Sequence, residues 1–175
     1  MPPQPLSNFR IGEDEITEVP ATYEACRTDV ERTAFLIEKL RVCQFNYPRY
    51  LLEQTQQVLR LWKPKKIKRN GAVIDAPVEF NDNRRATALA LYMFAGDEAQ
   101  EACRQCASKQ STGPAHYCVV AKGHMNGLRG ACTNCSYSGN GTRCSIRVDE
   151  ENAEKENELP KRSEFQGSSR RCWRS

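Results

Sequence analysis

Gly130–Ser145 reads GACTNCSYSGNGTRCS and holds Cys132, Cys135 and Cys144 among small, turn-forming residues, with no acid present. What these cysteines do decides how the C-terminal half of the chain folds. Looking N-terminally adds Cys103, Cys106 and Cys118. The full run is Cys103-x2-Cys106-x11-Cys118-x13-Cys132-x2-Cys135-x8-Cys144. A CxxC turn lets two sulfurs reach one tetrahedral ion at about 2.3 Å. One such pair is common, often as a redox motif. Two pairs in one block rich in Gly, Ser, Thr and Asn point to zinc. Residues 107–147 show no sustained periodicity, and loops of this kind bury too little apolar surface to order themselves. Bound metal would contribute the missing folding free energy directly.

Three ligand schemes fit the spacing. In the first, one Zn2+ sits on Cys103, Cys106, Cys132 and Cys135, and Cys118 and Cys144 only pack. In the second, two ions share the six thiolates, two of which bridge. In the third, His116 joins Cys103, Cys106 and Cys118, while His124 joins Cys132, Cys135 and Cys144. Both histidines of the chain lie in this block, and the plainer role for each is a solvent-facing loop residue.

The rest of the chain supports metal over disulfides. Nine cysteines is an odd number, so full intramolecular pairing leaves one over. The start, MPPQPLSNFRIGEDEITEV, has no apolar signal-like core, and no run of 18 apolar residues exists. The expectation is therefore an intracellular protein in a reducing compartment, with no membrane span. Paired cysteines there are more often ligands than disulfides. The sequons at Asn134 and Asn140 then lose their meaning, and Asn134 is expected to support its ligand turn through side-chain hydrogen bonds. Cys26 and Cys43 read as helix packing, and Cys172 is isolated.

Composition divides the 175 residues into four. Residues 1–20, rich in Pro and acid, read as a flexible arm. Residues 21–95 read as a helical region with a hairpin, 96–147 as the cysteine-rich zinc module, and 148–175 as a disordered charged tail. Thr22–Cys43 carries a helical spacing of apolar residues, with Thr22 as a candidate cap. Leu51–Trp62 predicts a second helix, although Val58, Leu59 and Leu61 equally suit a strand. Asn70-Gly71 between alternating residues predicts a hairpin. Asn83 is a candidate cap for the helix NRRATALALYMF, and Asp97 for a short helix carrying Cys103 and Cys106. The fold class expected is α+β: a mainly helical small domain with a β-hairpin, then a loop-rich zinc-stabilised module.

The order CxxC, C, CxxC, C resembles the fungal binuclear zinc-cluster DNA-binding domains. The first loop there is shorter and more basic. Here it is ASKQSTGPAHY, with Lys109 its one cation. The block is more similar to an uncharacterised fungal cysteine-rich family of unknown function. The residues carrying that likeness are CRQC, GPAHYCVV, GACTNCSY and RCS, over about residues 96–147. Ala115 stands where that family has Phe. The resemblance implies a cysteine-rich module but no activity.

Charge suggests what the module meets. Residues 103–147 contain Arg104, Lys109, Lys122, Arg129, Arg143 and Arg147 and no Asp or Glu, giving +6. One zinc on four thiolates, or two on six, subtracts two and leaves +4. Such a surface can sit on phosphates. Upstream, Lys63, Lys65, Lys66, Lys68 and Arg69 form a dense basic run. It reads as a nuclear-import segment or phosphate-binding strand, or equally as a solvated hairpin edge. The acidic run Asp149–Glu158 has the opposite sign and could fold back on the module. Zinc catalysis needs a carboxylate near the metal, and this block has none. HExxH, GxSxG and phosphate-cradling glycine loops are absent too. The reading is a non-enzymatic zinc protein, nuclear, contacting nucleic acid or chromatin. The rival is a zinc-shaped protein-interaction module, and behind it a thiol redox protein using CRQC.

Overall fold

The structure, a computed structural model, describes residues 10–11, 14–15, 19–54, 58–121 and 128–147. In chain order the elements are β1 (Arg10–Ile11), β2 (Asp14–Glu15), α1 (Asp29–Val42), α2 (Tyr50–Gln54), β3 (Lys66–Arg69), β4 (Ala72–Asp75), α3 (Asn83–Phe94), β5 (Asp97–Glu98), α4 (Arg104–Ala107), β6 (Val119–Val120) and α5 (Thr133–Tyr137). Short 3-10 turns lie at Tyr23–Ala25 and Gly141–Arg143. The strands form three separate antiparallel pairs, β1-β2, β3-β4 and β5-β6. The fold is thus α+β and mainly helical, as the periodicity predicts. Two paired strands, β1 and β2, fall inside the segment read as a flexible arm. The charged tail 148–175, with the acidic run and Cys172, lies outside the described residues. No helix among the described residues is long and apolar enough to cross a membrane.

Local chemistry sets the helix starts. Thr22 is not the cap of the first helix; it precedes the 3-10 turn and makes no side-chain capping bond. The cap of α1 is Thr28. Its hydroxyl accepts from the Glu31 amide at 3.1 Å, and the Glu31 carboxylate accepts from the Thr28 amide at 3.1 Å. This reciprocal pair satisfies two amides that the helix leaves free. At α3 the cap is Asp82, one residue before the expected Asn83, with its carboxylate on the Arg85 amide at 2.7 Å. The Asn83 side chain instead accepts from the Asn46 amide at 2.9 Å.

α3 forms the centre. Ala86 and every residue from Ala88 to Phe94 are buried, so the helix is apolar all round and has neighbours on several sides. α1 covers one side with Ala34, Leu36, Ile37 and Leu40. The predicted helix Leu51–Trp62 stops at Gln54. Residues 58–62 cross the C-terminal end of α3, where the Leu59 and Arg60 amides donate to Met93 O at 3.0 and 3.2 Å. The Arg60 guanidinium donates to Tyr92 O at 3.1 Å and Gly96 O at 2.8 Å. It thereby occupies carbonyls that the helix end leaves open. Trp62 is held by Thr33 Oγ1 on its amide at 2.7 Å and packs edge-on against Tyr92 at 5.1 Å.

The hairpin forms as Asn70-Gly71 predicts. Both turn residues take positive φ, 49° and 81°, the geometry that matches strand twist. Arg32 of α1 holds it through Asp75 at 3.1 Å. Beyond α3, Asp97 does not cap a helix: Asp97 and Glu98 pair with Val120 and Val119. Gly96 permits this, because a Cβ there would meet Val119 Cγ1 at 2.2 Å.

Candidate metal centre

Both CxxC pairs sit at the starts of one-turn helices. Cys103 is the N-cap of α4, and its sulfur accepts from the Cys106 amide at 3.4 Å. Cys132 is the N-cap of α5 and accepts from the Cys135 amide at 3.4 Å. Each capping cysteine then offers its own amide to a third sulfur, Cys103 to Cys118 at 3.5 Å and Cys132 to Cys144 at 3.4 Å. The two halves therefore repeat one local design. N–H donors aimed at sulfur offset the charge of a thiolate. Ser145 joins the halves, its hydroxyl accepting from the Arg104 amide at 3.0 Å.

The halves meet sulfur to sulfur. The sulfurs of Cys103, Cys106, Cys132 and Cys135 all lie within 4.8 Å of one another. Cys103 Sγ is 3.8 Å from Cys132 Sγ and 3.6 Å from Cys135 Sγ, and Cys106 Sγ is 3.8 Å from Cys132 Sγ. A tetrahedral ion with bonds of about 2.3 Å separates its sulfurs by about 3.8 Å. A disulfide would need about 2.05 Å. The spacing thus fits a metal ion, and the cysteines among the described residues are free thiols. Cys118 and Cys144 belong to the same buried cluster, each with its sulfur on the amide of a capping cysteine. Cys106 is half-buried and the other five are buried.

Mutual contact shifts the thiols. Cys103, foremost, drives Cys106 down and pushes Cys118, Cys132 and Cys135 up. Cys103 is opposed by Cys106 but is brought down on balance by Cys118, Cys132 and Cys135. Cys144 is raised by Cys103 yet held at about 6 by Cys132 and Cys135. Metal entry here would displace protons from a connected network.

The second half is fixed to the body by Asn134, which is buried. Its Oδ1 accepts from the Ala115 amide at 3.0 Å, and its Nδ2 donates to Ala115 O at 2.8 Å and Tyr117 O at 3.1 Å. This side chain acts on the segment leading into Cys118, beyond its own turn. Gly113 allows the close approach, since a Cβ there would meet the Asn134 backbone at 2.6 Å. The Tyr137 hydroxyl accepts from the Glu79 amide at 2.6 Å and donates to Glu79 O at 2.5 Å. Spacing drew attention to the cysteines and, loosely, to Asn134. Tyr137 and Ser145 stand in the GACTNCSY and RCS stretches that carry the family likeness, but composition and spacing assign them no role.

The other predicted residues separate. His116 is exposed, stacked edge-on against Tyr117 at 4.7 Å, with its amide on Lys63 O at 2.8 Å. It stands outside the sulfur group, where a strand-like pairing holds it. His124 and Lys122 lie outside the described residues. Lys63 lies over the Tyr117 ring at 5.6 Å, and Lys66 pairs with Asp75. Lys65, Lys68 and Lys109 line one cleft between hairpin and module. Arg69, Arg129 and Arg143 are exposed elsewhere, and Arg147 is half-buried.

A family model described as "Protein of unknown function (DUF3716)" matches residues 89–147. No curated protein and no solved structure matches. The matched stretch begins inside α3 and ends just past Cys144, so it takes in the buried helix wall together with the six cysteines.

Proposed function

We propose that this is a non-enzymatic zinc protein that holds two ions in one six-thiolate cluster and contacts nucleic acid through the surrounding basic surface. The observation that carries the cluster is the placement of Cys118 and Cys144. Their sulfurs sit on the amides of Cys103 and Cys132, at 3.5 and 3.4 Å, within one buried cluster, so Cys103 and Cys132 are the sulfurs proposed to be shared. Bridging by those two follows from simple counting: two tetrahedral ions need eight bonds, and six sulfurs supply eight when two are shared. An all-sulfur donor set favours soft or borderline ions, of which zinc is the common structural choice. Such a site is closed, and residues 103–147 hold no carboxylate to move protons; both support a structural role over catalysis.

Metal analysis with native mass spectrometry tests the cluster. Two zinc ions per chain are expected, and Cys118→Ser and Cys144→Ser should each lose one. A single ion insensitive to either change would favour the four-cysteine scheme and remove this one.

The nucleic-acid reading is supported by cations from two separate elements, the hairpin and the module, with no acid in residues 103–147. Binding should fall steeply with salt as counterions are released. Absence of association with DNA or RNA at low salt would remove the reading. Nuclear residence belongs to the same proposal and rests on Lys63–Arg69; imaging a fluorescent fusion with that run neutralised checks it. One feature favours the protein-interaction rival. The hairpin exposes Val73 at 69% and Ile74 at 37%, and Leu59 stands 60% exposed.

A further inference from the structure

We propose that the cleft between the β3-β4 hairpin and the α4 half of the module is a phosphate-binding site. The cleft has a volume of about 490 Å³. Lys68 of β3 stands on one side and Lys109, just past α4, on the other. Both are exposed, and neither meets a carboxylate among the described residues. Lys65 adds a third ammonium on the floor, where its Nζ donates to Ser111 O at 3.0 Å. Glu79 is the one acid on the wall, and Arg85 neutralises it at 2.9 Å. The exposed side chain of Thr112 lines the same space and offers a hydroxyl donor. Three cations without acidic partners around a space of this size suit a compact dianion or a phosphodiester.

Lys109 carries the second, independent observation. It takes φ 59°, the left-handed region that disfavours a Cβ. The equivalent turn in the other half is an internal control. Ser138 ends α5 as Ser108 ends α4, each hydroxyl bonding back four residues at 2.7 Å. The residue that follows there is Gly139, at φ 78°. The turn therefore accepts glycine, yet the position beside the cleft carries a lysine in a strained backbone. Strain kept at one of two matching turns points to a role for that side chain.

The cleft recognises phosphate without reading bases. Its one aromatic among the described lining residues is Tyr137, buried and capped by Arg85 at 5.4 Å, so it offers no stacking face. The site rests on the nucleic-acid reading only for where the phosphate comes from: a nucleic-acid backbone, or a free phosphate or mononucleotide.

The test uses the full chain loaded with zinc. Affinity is measured for a labelled eight-nucleotide single strand, for AMP and for inorganic phosphate, with Lys68→Ala, Lys109→Gly and the control Lys66→Ala, whose charge is already paired with Asp75. Lys68→Ala and Lys109→Gly should each weaken the strand about tenfold and lower the salt slope by about one. Lys66→Ala should change it less than about twofold, and all three should keep the wild-type zinc content. Loss of AMP and phosphate binding in the two cleft variants, with no strand binding by the wild type, supports the cleft and removes the nucleic-acid reading. Strand binding that both cleft variants leave unchanged overturns the cleft and spares that reading. No binding of any probe overturns both. Lys68→Ala lies on the exposed hairpin, so the result stands even if Lys109→Gly disturbs the module.

Discussion

The two cysteine halves share a design and differ in surroundings. In the α5 half every helix residue, Thr133 to Tyr137, is buried, and the helix lies against α3. In the α4 half none is buried. Both present a capping cysteine, a second cysteine on the first turn, a serine at the helix end and a left-handed residue after it. Identical local chemistry therefore serves two purposes. The α5 half anchors the module to the body, and the α4 half is left facing solvent. Geometry around sulfur does not by itself reveal which half bears the load; the partners of the intervening side chains do.

Cys132→Ser should break the comparison most severely. It removes the α5 cap, one sulfur of the four-cysteine group and a fully buried side chain. Both ions should be lost by native mass spectrometry, with a destabilisation of roughly 5 kcal/mol in urea. The matched pair Asn134→Ala and Gln105→Ala comes next, because both residues precede the second cysteine of a CxxC. Asn134→Ala strips three hydrogen bonds, two of them fully buried, and should cost about 3 kcal/mol. Gln105→Ala, on the half-exposed side, should cost under about 0.5 kcal/mol. Equal effects in urea titrations would contradict the anchor role.

Tyr137→Phe should cost about 1–2 kcal/mol by leaving Glu79 without its partner. Burial raises the Tyr137 phenol to about 12, partly offset by the Glu79 backbone bond. The neutral form is the one the fold prefers. Its contribution is full below the unfolded value of about 10 and is lost as pH rises from there towards 12. Tyr23, raised by burial to about 12, has the same sign. Urea midpoints should therefore decline above about pH 10, less so in Tyr137→Phe. Smallest is the turn exchange. Gly139→Lys should cost about 1 kcal/mol, because its Cβ meets only the flexible end of Arg84, while Lys109→Gly should gain about as much. Thermal midpoints moving in opposite directions check it.

Much of the site was legible because metal chemistry is local. Two sulfurs at i and i+3 must face one point, so Cys103–Cys106 and Cys132–Cys135 can be read directly. The hairpin was equally readable, since Asn70-Gly71 suits positive φ at both positions. The true caps, Thr28 and Asp82, lie close to other residues of capping type, Thr22 and Asn83, so residue type alone does not single them out. Thr28 with Glu31 three residues on is a capping box, a stronger signal than Thr22 alone. The helix expected to reach Trp62 ended early because the carbonyls at the end of α3 needed partners, and residues 59 and 60 supply them. Asp97 became strand because Gly96 let Val119 approach. These are long-range demands, and windowed periodicity does not contain them. The same holds for Tyr137 and Glu79, which lie 58 residues apart.

The buried α5 bears on where this protein can be cut. Its cysteine packs into the sulfur cluster, while Tyr137 reaches Glu79, ahead of α3 and outside the cysteine-rich block. A graft of residues 96–147 into another chain would transplant every sulfur and leave behind the wall they close against. The smallest portable piece is therefore set by a tyrosine hydroxyl and an alanine-lined helix, and it begins upstream of the first ligand.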